Sequence, residues 1–115
     1  MESILTSIKK LLGITKEYEH FDDELIVHIN SVFATLNQLG VGPAEGFRIK
    51  DEDATWDEFI RGEANIESVR TYVYLNVKLL FDNSTLSSAV IAATERQIDE
   101  LEWRLNVAAE TTQSE

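Results

Sequence analysis

Three places in this sequence combine residue types and spacing that chemistry uses. The first is GVGPAEG, residues 40–46, which holds three of the five glycines and the single proline. A dinucleotide loop needs a strand that ends in a tight glycine turn and a helix that starts there, so that free N–H groups face the pyrophosphate. Here the glycines follow a helical pattern, the spacing is GxGxxxG, and Pro43 removes one N–H. No GKS or GKT follows. Gly40 therefore reads as a helix stop, with Gly42 and Pro43 as the turn that redirects the chain.

The second is KDEDATWDE, where Asp51, Asp53, Thr55 and Asp57 alternate like the oxygen ligands of a calcium loop. That loop also requires glycine at its sixth position and glutamate at its twelfth, and this chain offers Trp56 and Gly62 there. The segment reads instead as a solvated acidic loop that caps the next turn. The third is the pair His20 and His28, with Glu24 one turn before His28. A histidine with a carboxylate at i−4 can hold a metal or relay a proton, but the local sequence supplies no third ligand. No nucleophile, base and orienting group occur together. The expectation is a protein that is not an enzyme and uses no cofactor or metal.

These residues must be positioned by helices. Ile4, Leu5, Ile8, Leu11 and Leu12 form one short amphipathic helix, with Ser3 as its N-cap and Gly13 as its stop. Phe21 then precedes Asp22, Asp23 and Glu24, three carboxylates at a helix start, where the dipole favours them, and can staple back onto that first turn. Leu25, Ile29, Val32, Phe33, Leu36 and Leu39 give the second helix a continuous apolar face. A third helix, from about Glu63 or Ile66 to Phe81, carries two stripes: Val69, Val73, Val77 and Leu80, then Tyr72, Leu75 and Leu79. A helix with two apolar stripes belongs at the centre of the fold.

After the polar break DNSTLSS, a fourth helix spans roughly 88–109. Ile91, Thr94, Ile98, Leu101, Leu105 and Ala108 alternate steps of three and four along it, a seam for one neighbouring helix. Between the second and third helices, residues 40–62 lose helical periodicity. Phe47 and Ile49 there suggest one short strand or β-hairpin arm, and DATWDEF a single turn capped by Thr55 or Asp53. The fold class expected is all-α: a small bundle of about four helices with an irregular crossing, residues 1–110 forming one domain and 111–115 a mobile polar tail.

Composition narrows the function. Ten basic and 21 acidic residues give a net charge of −11. The basic residues are scattered, so the chain is expected to be repelled by DNA, RNA and anionic lipid. No apolar run approaches the ~20 residues of a membrane span. The lysines inside MESILTSIKKLLGI and the lack of a cleavage site argue against a signal peptide, and the absence of cysteine suits an intracellular protein. Trp103 and Val107 project away from the seam of the fourth helix, near Arg96 and Glu100. Either they form an interface or the first helix folds over Trp103. Trp103, Arg104 and Val107, with Trp56 and Phe59 of the crossing, are the candidate partner-interface residues.

Taken in order, SIKKLLGI, HINSVFATLNQLGVGPAEGF, TWDEF, VRTYVYLNVKLLFD and SSAVIAATERQIDELEWRLNV resemble the head-tail connector (adaptor or head-completion) proteins of tailed double-stranded DNA bacteriophages and prophages. The resemblance covers roughly residues 3–110. It implies a non-enzymatic virion protein, made in the host bacterial cytoplasm and placed at the head-tail junction. Such subunits form a ring, commonly twelvefold, beneath the capsid portal. The ring extends the DNA channel without binding DNA specifically and presents a surface to a stopper or tail-completion protein. By the same analogy, residues Trp103 to Glu115 are an arm that docks on the portal. The competing expectation is an acidic DNA mimic or inhibitory binding protein, which requires carboxylates arrayed on one surface, whereas the acids here gather at helix starts and in one loop.

Overall fold

The structure, a computed structural model, describes residues 2–60, 66–82 and 85–113, with side chains described up to Ala109. Five helices make up the fold: α1 (Ile4–Leu12), α2 (Asp22–Gln38), the single turn α3 (Trp56–Phe59), α4 (Ile66–Asp82) and α5 (Ser88–Gln113). The all-α bundle expected from the periodicity is the architecture found. Gly62 and Glu63, which entered the reading of the acidic loop and of the third helix's start, lie outside the described residues.

Local chemistry sets the ends of α1 and α2. Ser3 is extended, and its hydroxyl accepts the Thr6 N–H at 3.2 Å, satisfying one of the orphan donors of α1. At the other end Gly13 takes φ 83°, its N–H donates to the Lys10 carbonyl, and the Ile14 N–H donates to that of Lys9. This paired closure is a Schellman motif, and α2 ends with the same device. Gly40, at φ 85°, donates to Asn37, and Val41 donates to Leu36.

α4 lies at the centre. Val69, Tyr72, Val73, Leu75 and Val77 are all buried, because α2 packs along one side of α4, α5 along another, and α1 covers both α2 and α4. Phe21 at the start of α2 meets Phe81 at the end of α4 edge-on at 5.0 Å, so these two helices run antiparallel. The seam of α5 seats Thr94, Ile98 and Leu105 against the bundle, with Ile91, Leu101 and Ala108 half-buried. The helix continues to Gln113, beyond the end at 109 that its apolar pattern predicts. Leu80, assigned from its spacing to a buried stripe, is exposed: it sits in the last turn of α4, where the neighbouring helices no longer cover that side.

The crossing contains no strand among the described residues, so the expected hairpin arm is not formed. Its place is taken by one side chain. Asn30 of α2 accepts the Ile49 N–H at 2.7 Å and donates to the Ile49 carbonyl at 2.9 Å, supplying both hydrogen bonds that a strand partner would give. A β-bridge joins Ser3 to Thr55, and around it Ile4 N–H donates to Ala54 and Trp56 N–H to Glu2. Thr55 opens α3 as the cap, with Glu58 reaching back to accept its N–H at 2.8 Å.

Candidate functional site

The glycine stretch is a turn packed against the core. The N–H groups of Gly40, Val41 and Gly46 are all spent on internal carbonyls, and the Asn37 amide donates to the carbonyls of Pro43 and Ala44, pinning the turn from the side of α2. Gly42, at φ 88°, leaves room for the Phe59 ring: a β-carbon there would lie 2.5 Å from it. These glycines are needed for a left-handed backbone and a close aromatic contact, and they do not form a cradle for phosphate.

The acidic loop is likewise occupied with backbone duties. Asp51 accepts the Asp53 N–H at 2.8 Å in a local turn, and Thr55 caps α3. His28 Nε2 lies 3.3 Å from the Glu24 carboxylate on the exposed side of α2, while the His20 ring packs edge-on against Phe21. Among the described residues, no group of three His, Cys, Asp or Glu side chains comes together.

The candidate interface residues divide into two sets. Trp56 and Phe59 are 3% and 4% exposed, which corrects the expectation that they present a partner surface. The Trp56 Nε1–H donates to the buried Ser7 hydroxyl at 2.8 Å, and that hydroxyl donates to the Ile4 carbonyl, so the indole is locked beneath α1. Phe59 stacks on Phe33 at 4.5 Å and touches Phe47. Their burial follows from the capped turn of α3, which folds both rings inward against α2.

Trp103 and Val107 lie on the opposite side of α5 from its seam, with Arg104 on the flank between. Trp103 is 69% exposed and Val107 38%. Arg104 forms an i,i+4 ion pair with Glu100, which keeps this strip neutral locally. α1 packs on α2 and α4 and leaves the indole uncovered. Two inward contacts fix this orientation. The Tyr72 hydroxyl donates to Glu102 at 2.8 Å, and burial, with that carboxylate, pushes the phenol well above its ordinary pKa. Asn106 reaches the Leu39 carbonyl at the end of α2 at 3.4 Å. With Glu102, Leu105 and Asn106 held against the bundle, Trp103 and Val107 must face outward.

Sequence patterning missed other exposed apolar residues, Val27 on α2 at 64%, Val90 on α5 and Tyr18 before α2, and it placed Leu11 on the apolar face of α1 although it is half exposed. The available signal was that Val27 falls outside the apolar stripe of its helix. An exposed indole beside a valine on a charged helix is a feature of protein-protein contacts, and no described helix is long and apolar enough to cross a membrane.

No match was found among curated proteins or among solved structures. A family model described as phage connector protein matches residues 4–112, from the first residue of α1 into the last turn of α5. The match takes in α1 to α4 and all but the last residue of α5, and the chain belongs to the phage connector protein family.

Proposed function

We propose that this protein is one subunit of a ring that sits beneath the capsid portal, lengthens the DNA channel and offers a seat to the stopper or tail-completion protein. Connector proteins are structural components of phage particles, and the family match over residues 4–112 is the observation that carries this reading. The exposed strip Trp103, Arg104 and Val107 serves as an anchor for contact with another protein, because a large indole held outward by two hydrogen-bonded neighbours loses little freedom on binding. A net charge of −11 per subunit keeps packaged DNA from adhering to the ring while it passes. The residues do their work through shape and charge, with no bond made or broken.

The test is to mix the purified protein with the portal protein of the same phage and image the product. A layer of added density beneath the portal is expected. Trp103→Ala should abolish that layer while leaving helical content intact. A portal that remains bare in the presence of the unaltered chain would overturn the reading.

A further inference from the structure

α2 carries a surface whose composition departs from the rest of the chain. Between Leu25 and Ala44 there is no Asp, Glu, Lys or Arg, although 27% of the sequence is charged. Much of that stretch is core, but Val27, Ser31, Ala34 and Gln38 are exposed, and their steps of four, three and four place them in one ribbon along the outside of α2. The ribbon lies opposite Leu25, Ile29, Val32 and Leu36, which face the core. A solvated helix face in a strongly acidic protein ordinarily carries carboxylates, whereas depletion of charge is the mark of an interface centre.

α5 presents a second face of this kind. Besides the inner seam, Ala89, Ala93, Arg96, Glu100, Trp103 and Val107 alternate steps of four and three, and all six are exposed. α5 therefore has two seams. One is packed against the bundle, and the other packs on no other helix among the described residues. The single positive and single negative charge of this outer seam cancel.

The two faces are complementary. α4 lies between α2 and α5, so the ribbon and the outer seam point away from it on different sides. One is built of small and neutral side chains, and the other carries the largest exposed side chain of the molecule. Two copies of a −11 chain repel wherever their acidic surfaces meet, and from Val27 to Gln38, beyond the acidic first turn of α2, the ribbon can meet the outer seam without opposing like charges. We propose that the outer seam of α5 on one copy packs along the α2 ribbon of a second copy, with Trp103 and Val107 seated over Ser31 and Ala34. Because the two faces differ, the contact is head-to-tail and propagates until a ring closes. The pairing rests on the ring reading given above.

The chain contains no cysteine, so thiols can be placed without removing any. Ala34→Cys and Val107→Cys, both at exposed or half-exposed positions, are made singly and together, assembled on the portal protein and treated with a short bis-maleimide. The double variant should give a ladder of covalent oligomers, and neither single variant should give one. Ala34→Glu, which places a charge on the ribbon while favouring helix, should lose ring assembly with unchanged melting temperature. Thr15→Glu, an equal charge change in the exposed loop after α1, should assemble normally. Rings that form without a ladder, covalent dimers from Val107→Cys alone, or normal assembly of Ala34→Glu would each overturn the face pairing and leave the ring standing. If the unaltered chain forms no ring on the portal, both fall together.

Discussion

Removing the carboxylate of Asp22 should destabilise this protein more than removing the amine of Lys9, although the two form one ion pair. Lys9 is 2% exposed, and its Nζ lies 2.8 Å from Asp22 Oδ1 and 3.0 Å from the Lys16 carbonyl. The Asp22 side chain keeps 25% of its surface in water and stands at the N-terminus of α2. Asp22→Ala strands a buried ammonium on a single carbonyl, a change that costs about 3–5 kcal/mol. Lys9→Met keeps the apolar stem but leaves the buried Asp22 Oδ1 without its partner, while the rest of the carboxylate keeps water and the helix dipole, for a cost of about 1–3 kcal/mol. At about 2.1 cal/mol/K per residue, 115 residues give an unfolding entropy near ~0.24 kcal/mol/K. Asp22→Ala should therefore lower Tm by about 12–20 °C and Lys9→Met by about 4–12 °C. The double variant should be more stable than Asp22→Ala alone, since no charge remains to be stranded. Calorimetry at two salt concentrations provides the assay, and a pair this deep should respond little to screening. Equal costs for the two single changes, or a double variant whose loss is their simple sum, would refute the reasoning.

Three further outcomes are expected. Tyr72→Phe should cost about 1–2 kcal/mol by orphaning Glu102 and should change the alkaline response: the folded protein holds the phenolic proton above the ordinary 10.0, the unfolded chain releases it, so native stability is full below about pH 10 and falls above it, and the variant should lack that part of the fall in a pH series of melts. Gly42→Ala should cost at least about 2 kcal/mol, adding a clash with Phe59 to the strain of φ 88°, while Gly13→Ala, with nothing within 4 Å, should cost only the strain of about 1–2 kcal/mol; urea titration separates them. Trp103→Ala should change stability by no more than about 0.5 kcal/mol in the same titration, because the indole touches little of its own subunit.

What the sequence revealed was mostly what neighbouring residues decide. Ser3 as cap, Gly13 and Gly40 as stops, and Thr55 opening a single turn all depend on chemistry within a few positions, and each is found as read. The central place of α4 was legible because two apolar stripes on one helix demand cover on two sides. The burial of Trp56 was not, since it depends on Ser7, far away in the chain, and an indole with a hydroxyl partner is indistinguishable in sequence from an exposed one. The same limit applies to the hairpin. Alternation at Phe47 and Ile49 suggested a strand, but Asn30 supplied the pairing from another element. Outward spacing on a long helix anticipated the exposure of Trp103 and Val107, whereas nothing in the spacing around Trp56 and Phe59 signalled their burial.

The attachment of α1 bears on the order in which the molecule is made. Its first turn is tied to Ala54 and Thr55, its hydroxyl at Ser7 waits for Trp56, and part of its apolar face lies against α4. α1 thus precedes its partners in the chain, and its contacts are completed only after residues 54–56 and α4 have been made. Closing so wide a loop carries an entropy cost that local helix formation does not, and until it happens the nascent chain carries an uncovered apolar helix.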